Sequence, residues 1–396
     1  MRAITILFFL LSCLFISCSK DTNDTYESIP DYPNVKATFG NTIDLNNLEN
    51  YDNQLVPSYI TKDNSNLNPI TNKGATLGRV LFYDTNLSVN HTIACASCHK
   101  QENAFGDNAL MASNGVNGTT GRHSMRLVNT RFATETKFFW DERAASLEIQ
   151  TTMPIKDHAE MGFSGTNGDL SFDDLITRLE GIEYYKELFT FVYGNEEITE
   201  SKIQNALAQF IRSIQSFDSK YDSGRALVTN DNQPFPNFTQ TENMGKNLFL
   251  TPPQFDGNGS RIGGGVGCAG CHRAPEFDID PNSLNNGIIG TLNNTGIDIT
   301  NTRAPSLRDL VKQNGTINST LMHTGNITTL QAAIGHYNTI AIAPGNTNLD
   351  PRLRPGGNGQ QLNMTGAEMN ALQSFLVTLA GSNVYVDSKW SSPFEE

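Results

Sequence analysis

Between residues 201 and 217, apolar side chains recur at Ile203, Leu207, Phe210, Ile211, Ile214 and Phe217. That spacing lines one face of a helix and predicts an amphipathic helix over this stretch. Two more helices are signalled by their starts. Thr239 with Glu242 makes a capping box ahead of Met244 and Leu248, and Thr365 with Glu368 makes another. The latter opens a helix with Met369, Leu372, Phe375, Leu376 and Leu379 facing inward and Gly381 at its end. Few residues alternate with a strand period, and the Gly- and Asn-rich stretches 252–267 and 281–301 read as loops. The pattern predicts a mainly α protein with long loops.

The N-terminus follows a different pattern. One Arg precedes an apolar core from Ile4 to Ile16, ending at Ser17 before Cys18. This is a secretory signal over residues 1–17, too short for a comfortable membrane span. Phe15-Ile16-Ser17-Cys18 resembles a bacterial lipobox, whose cysteine carries lipid and becomes the mature N-terminus. Leu10-Leu11-Ser12-Cys13 is a competing site, but the polar run Ser19-Lys20-Asp21 favours Cys18; a plain cleaved signal is the other reading. Residues 18–66 then read as a lipidated N-terminus and flexible tether, rich in Asn, Asp, Thr and Tyr. The 396 residues allow two or three domains, and 38% hydrophobic with 17% charged residues fits a folded, loop-rich protein. With 28 Lys+Arg against 41 Asp+Glu, the chain lacks the basic stripe that nucleic acid requires, so no nucleic-acid partner is expected.

Six cysteines define the chemistry. Beyond Cys13 and Cys18, four form two C-x-x-C-H units, Cys95-Ala96-Ser97-Cys98-His99 and Cys268-Ala269-Gly270-Cys271-His272. This is the attachment signature of c-type haem: two thiols add to the two porphyrin vinyl groups, and the adjacent His is delivered to the iron. A redox dithiol or a four-cysteine zinc site would not explain a His directly after each pair. Two haem c groups are therefore expected, on Cys95, Cys98 and His99, and on Cys268, Cys271 and His272. Haem attachment of this kind takes place outside the cytoplasmic membrane, so the protein should face the periplasm or the cell exterior, anchored by lipid.

The surroundings repeat weakly. Leu77-Gly78-Arg79-Val80-Leu81-Phe82 precedes the first motif, and Met244-Gly245-Lys246-Asn247-Leu248-Phe249 precedes the second. Trp140-Asp141 stands before Ser146-Leu147 at the same spacing as His323-Thr324 before Thr329-Leu330. One cytochrome c-like domain per haem follows, expected over 67–235 and 236–396.

With these residues in place, the chain resembles the bacterial di-haem cytochrome c peroxidase family, including its MauG branch, from about Asn68 to Gly381. The resemblance runs through Leu77 to Asp84, Leu87-Ser88, the first haem motif, and Phe139-Trp140-Asp141 with Arg143. It continues through Ser146-Leu147-Glu148, Gln150, Met153-Pro154-Ile155, Glu160-Met161-Gly162, the second motif and His323-Thr324-Gly325. It implies that peroxide reacts at the first haem, in the N-terminal (peroxidatic) domain, while the C-terminal domain transfers electrons. Glu160 matches the distal acid–base residue, Gln150 a distal residue that orients by hydrogen bonding, and Trp140 the aromatic residue between the haems. Without the resemblance, Glu160 would read as a surface charge and Trp140 as a core anchor.

Two departures stand out. Family peroxidases carry, in the loop after the first haem, a His that blocks the iron until reduction; here Met111 to Gly118 contains none. A five-coordinate first haem, ready without reductive activation, is expected. His123 lies downstream and could substitute, but it falls where the family has an Asn near an inter-domain calcium, leaving that Ca2+ in doubt. The second departure is the sixth ligand of the second iron, Met in the family's peroxidases, which falls on Tyr337, as in MauG. Neighbouring His336 is the alternative, and a merely packed Tyr337 a third reading. His323 reads as a pocket residue, and His91 and His158 as exposed histidines without a role. The expected function is reduction of hydrogen peroxide to water with electrons from a small periplasmic cytochrome or similar donor. A MauG-like oxidase of a protein or organic substrate is the alternative, a di-haem electron carrier a third. Peroxidases of the family often dimerise, so a homodimer is a further expectation.

Overall fold

A computed structural model describes residues 31–292 and 296–394. The signal segment, Cys13 and Cys18 lie outside the described residues. Eleven α-helices are present among the described residues: α1 (Pro33–Phe39), α2 (Asn72–Tyr83), α3 (Cys95–Cys98), α4 (Leu147–Thr152), α5 (Phe172–Glu180), α6 (Glu183–Tyr193), α7 (Glu200–Ser213), α8 (Lys220–Arg225), α9 (Gln240–Leu250), α10 (Leu330–Asn338) and α11 (Gly366–Val377). Two small antiparallel hairpins join them, β1 (Pro253–Phe255) with β2 (Arg261–Gly264) and β3 (His272–Arg273) with β4 (Asp278–Ile279). No described helix is long and apolar enough to cross a membrane.

Two apolar cores organise the molecule. The first gathers buried residues from Val35 to Ile214 and closes with Val384 and Trp390; the second gathers Tyr221 to Leu379. Each is built on a helix pair, α2 with α7 and α9 with α11. The pairs approach so closely that a Cβ on Gly78 would stand 2.0 Å from the Ala206 carbonyl oxygen, and one on Gly245 would stand 1.9 Å from that of Ala371. Phe210 and Phe375, four residues after those alanines, complete the two contacts. The faint repeat is thus a duplicated helix crossing, with glycine where the backbones touch. Both expected capping boxes form, Thr239 with Glu242 and Thr365 with Glu368.

Several expectations need correction. The second apolar core reaches back across 235/236 to Tyr221 on α8, whose ring packs against Phe235, Phe277 and Phe375. Much of the expected tether is folded: Val35, Phe39 and Tyr51 are buried, and both carboxylate oxygens of Glu187 cap the N-terminus of α1. Helix α7 stops at Ser213 and leaves Phe217 outside it. Helix α11 stops at Val377, four residues before Gly381, whose missing side chain admits the Asp218 carboxylate and Ser216 hydroxyl. The 252–267 stretch holds the β1–β2 hairpin within its loops.

Candidate functional site

The first C-x-x-C-H unit is a single helical turn, α3, that brings both thiols to one side. The Ala94 N–H donates to Ser97 Oγ at 3.0 Å and the His99 N–H to the Cys95 carbonyl at 3.0 Å. His99 Nδ1 lies 3.2 Å from the Phe105 carbonyl oxygen, which places the proton on Nδ1 and makes Nε2 the nitrogen whose lone pair a metal would take. Cys95, Cys98 and His99 line a narrow cavity of about 80 Å³, and Gln150 and Glu160 stand on its walls with them.

Local structure explains how Glu160 gets there. Asp157 Oδ1 accepts the N–H groups of Ala159 (2.9 Å) and Glu160 (3.1 Å), turning the chain, and the Val116 N–H donates to the Glu160 carbonyl at 3.0 Å. Burial pushes the Glu160 carboxyl up to about 7, the like charge of Asp157 adds to this, and Arg143 opposes it. Gln150 rides on α4, which Ser146 caps and which an ion pair between Glu148 and Arg212 ties to α7. The loop without a histidine contributes Asn114 and Gly115 to the same walls. His123 is not among them; His99 is the one histidine on that lining.

The second unit is a 3₁₀ turn over Cys268–Gly270, and His272 opens β3 immediately after it. The cavity beside it is about 560 Å³ and is lined by Cys268, Cys271, His272, Trp140, His323 and Tyr337 among others. His272 Nδ1 is buried without a hydrogen-bond partner, and burial lowers the ring's pKa to about 4, so the imidazole is neutral and available as a ligand. Tyr337, on α10, accepts a hydrogen bond at Oη from Asn286 Nδ2 at 3.0 Å, and burial pushes the phenol up to about 12. His336 turns elsewhere, its Nε2 lying 2.9 Å from the Asn286 carbonyl oxygen, and it is not on the cavity wall. Asn286 and Met322 escaped the sequence reading: the Asn286 amide also reaches Met322 Sδ at 3.2 Å, and both line this cavity.

Residues 120–127 form a wall shared by the two cavities: Thr120, Ser124 and Leu127 face the first, His123, Ser124, Met125 and Arg126 the second. Trp140 donates its indole N–H to the His123 carbonyl at 2.7 Å, and its ring meets that of His323 edge-on at 6.1 Å. The two residues paired by the internal repeat therefore touch. Arg122 joins the units by pairing with Asp141 and Asp298, each at 2.8 Å. His91 and His158 are exposed, facing Asn86 and Asp169.

The donor set fits c-type haem. All four cysteines are unpaired, and burial pushes Cys95 and Cys268 up to about 12 and raises Cys98 and Cys271. Thiols held protonated are poor redox dithiols. Among the described residues no group of three or more His, Cys, Asp and Glu side chains is placed to hold a metal ion, so the two C-x-x-C units do not combine into one site. The second cavity has the volume of a cofactor site, about 300–1,000 Å³; seating a porphyrin in the first requires its walls to part.

Residues 72–229 match the di-haem cytochrome c peroxidase family. The chain is 28% identical over 329 residues to the methylamine utilization protein MauG of Methylophilus methylotrophus, covering 81% of this chain and 86% of that protein. It is 26% identical over 279 residues to the cytochrome c551 peroxidase of Nitrosomonas europaea, covering 66% and 71%. Among solved structures, a MauG-like protein associated with microbial copper homeostasis superposes with a TM-score of 0.63 at 25% identity, covering 86% of this chain and 99% of that one. The di-haem peroxidase BthA of Burkholderia thailandensis shares the fold, with a TM-score of 0.59 at 19% identity and coverage of 86% and 90%.

Proposed function

The chain belongs to the di-haem cytochrome c peroxidase family, and on that premise we propose that it reduces hydrogen peroxide to water at the Glu160 cavity, with electrons entering through the Tyr337 cavity. The carrying observation is that Glu160 and Gln150, ten residues apart, share one wall system with Cys95, Cys98 and His99. Two c-type haems, attached through Cys95 and Cys98 and through Cys268 and Cys271, supply the iron redox chemistry when bound. His99 and His272 offer neutral ring nitrogens to the two irons, and Tyr337 offers its phenol oxygen to the second.

The protein's own part is proton management. The Glu160 carboxylate takes a proton from the inner oxygen of peroxide and delivers it to the outer oxygen, which leaves as water. A carboxyl titrating at about 7 serves both halves of that transfer near neutral pH. The Gln150 amide donates to the peroxide and holds it beneath Glu160. Trp140, hydrogen-bonded to the wall between the cavities, supports electron passage from the second unit to the first. A small periplasmic cytochrome is the proposed donor. Export and lipid attachment at Cys18 would put the enzyme on a membrane outside the cytoplasm.

Steady-state peroxide turnover with reduced cytochrome tests the reading. Wild type should turn over, and Glu160→Gln should lose on the order of 10²–10⁴-fold; full activity in the variant overturns the assignment. A second reading, a MauG-like oxidase, is favoured by Tyr337, because an anionic oxygen ligand stabilises higher oxidation states. Mixing ferric protein with peroxide separates the two: a long-lived state oxidised at both irons marks the oxidase. Two low-spin ferric haems would instead mark an electron carrier.

A further inference from the structure

Three arginines line the second cavity, and the protein satisfies only two. Arg303 donates to the carbonyls of Glu135 and Lys137 at 3.2 and 2.7 Å, and Arg352 pairs with Asp350 and donates to Ser283 Oγ. Arg126 differs. It is 6% exposed, its Nη2 donates to the Ser306 carbonyl at 2.7 Å, and its Nε is buried with no hydrogen-bond partner. Arg126 forms no ion pair among the described residues; buried Asp309 acts on it electrostatically but bonds instead to the Gly381 N–H and the Tyr385 hydroxyl. Burial alone holds its pKa down to about 10, against Asp309 and Tyr385. A guanidinium removed from water without a counter-ion is costly, and buried charges in folded proteins are paired. Its partner should be the group that fills the cavity it lines.

We propose that Arg126 is the counter-cation for an anionic edge group of the second cavity's occupant, a porphyrin propionate, and that its charge favours the reduced state of that iron site. The inference rests on the reading that this cavity holds a haem. Arg126 is a positioning residue. Arg126 and His272 line the same cavity, so the guanidinium shares a site with the proposed iron ligand. A cation in a site of low effective dielectric stabilises the form carrying the extra electron. It therefore works against the Tyr337 oxygen, which favours the oxidised form, and the balance of the two sets how readily this site delivers electrons.

The test uses the full holoprotein. Haem per chain is counted first; fewer than two in wild type overturns the underlying reading and this inference with it, whereas with two haems present the inference can fail alone. The midpoint potential of the second haem is then measured by spectroelectrochemistry. Arg126→Gln should retain two haems and shift that potential downward, while the first haem's potential moves less. Two haems with an unmoved potential overturn the proposal. Should Arg126→Gln fail to fold or to load haem, Arg126→Lys decides. It keeps the charge and changes the donor, so the potential should stay near wild type while the propionate-bending band in resonance Raman moves. An unmoved band overturns the contact.

Discussion

At the scale of single residues, Glu160 makes the sharpest demands. Its folded pKa is raised to about 7 by burial, so the ionised form is disfavoured in the native state. Peroxide turnover should fall as pH drops through about 7, because the carboxylate must accept the first proton, and Glu160→Gln should abolish that limb of the pH–rate profile. The same shift has a stability consequence. A carboxyl raised on folding stabilises the native state at low pH and loses that contribution as pH climbs through its folded value. Glu160→Gln should therefore raise the melting temperature at pH 8 and not at pH 4. Tyr337 carries a second expectation: under the proposed ligation, Tyr337→Phe would take an oxygen ligand from the second iron and should raise the potential of that haem. The cysteine motifs, Glu160, Gln150 and Tyr337 were legible because spacing or family resemblance marks them. Asn286 and Arg126 were not: each acts through a three-dimensional neighbour, Tyr337 or the cavity, that no local pattern reveals.

At the scale of elements, the two glycine crossings carry the fold. Gly78→Ala or Gly245→Ala would force a methyl into a backbone carbonyl, so the helix pairs must separate, at a cost of about 1–3 kcal/mol in denaturant unfolding. Helix α4 is held differently. Burial works against ionised Glu148, but the Arg212 pair prevails and holds its carboxyl down to about 2. That stabilisation is present above the ordinary glutamate range, about 4.3, and is lost as pH falls towards the folded value. Acid should thus loosen the helix that carries Gln150, and Glu148→Gln should flatten the stability profile between pH 5 and pH 2. Helices α9 and α11 could be foreseen from capping boxes, which are local. Helix α8, six residues with Gly224 inside, offered no period, and its place in the second unit depends on Tyr221 meeting distant aromatic rings.

For the whole molecule, the division into two apolar cores was readable from the duplicated motifs, but the way they close was not. The first core takes Val384 and Trp390 from the far end of the chain. Arg79 Nε, Tyr83 Oη and Tyr51 Oη donate to the carbonyls of Ser391 (2.7 Å), Trp390 (2.7 Å) and Lys389 (2.6 Å). Deleting residues 383–396 should leave these donors unpaired and cost the first unit on the order of 5 kcal/mol, while the second unit loses the smaller contribution of the bonds that Tyr385 makes with Asp309 and Asn318. Hydrogen exchange on the truncated protein would resolve the two units. Such pairing is invisible in sequence, because Ser, Trp and Lys carbonyls carry no signature.

That closing strap also imposes a timetable. Thr42 donates to the Pro393 carbonyl across 351 positions, whereas the buried apolar residues of the second core all lie between Tyr221 and Leu379. Loops of that length close slowly, and domains otherwise fold as they emerge. The later-synthesised half can mature by itself, while the earlier-synthesised half waits ajar for the last stretch to arrive. Under the proposed haem reading, its tight chamber would thereby gain an interval for a flat macrocycle to slide between the walls before they seal.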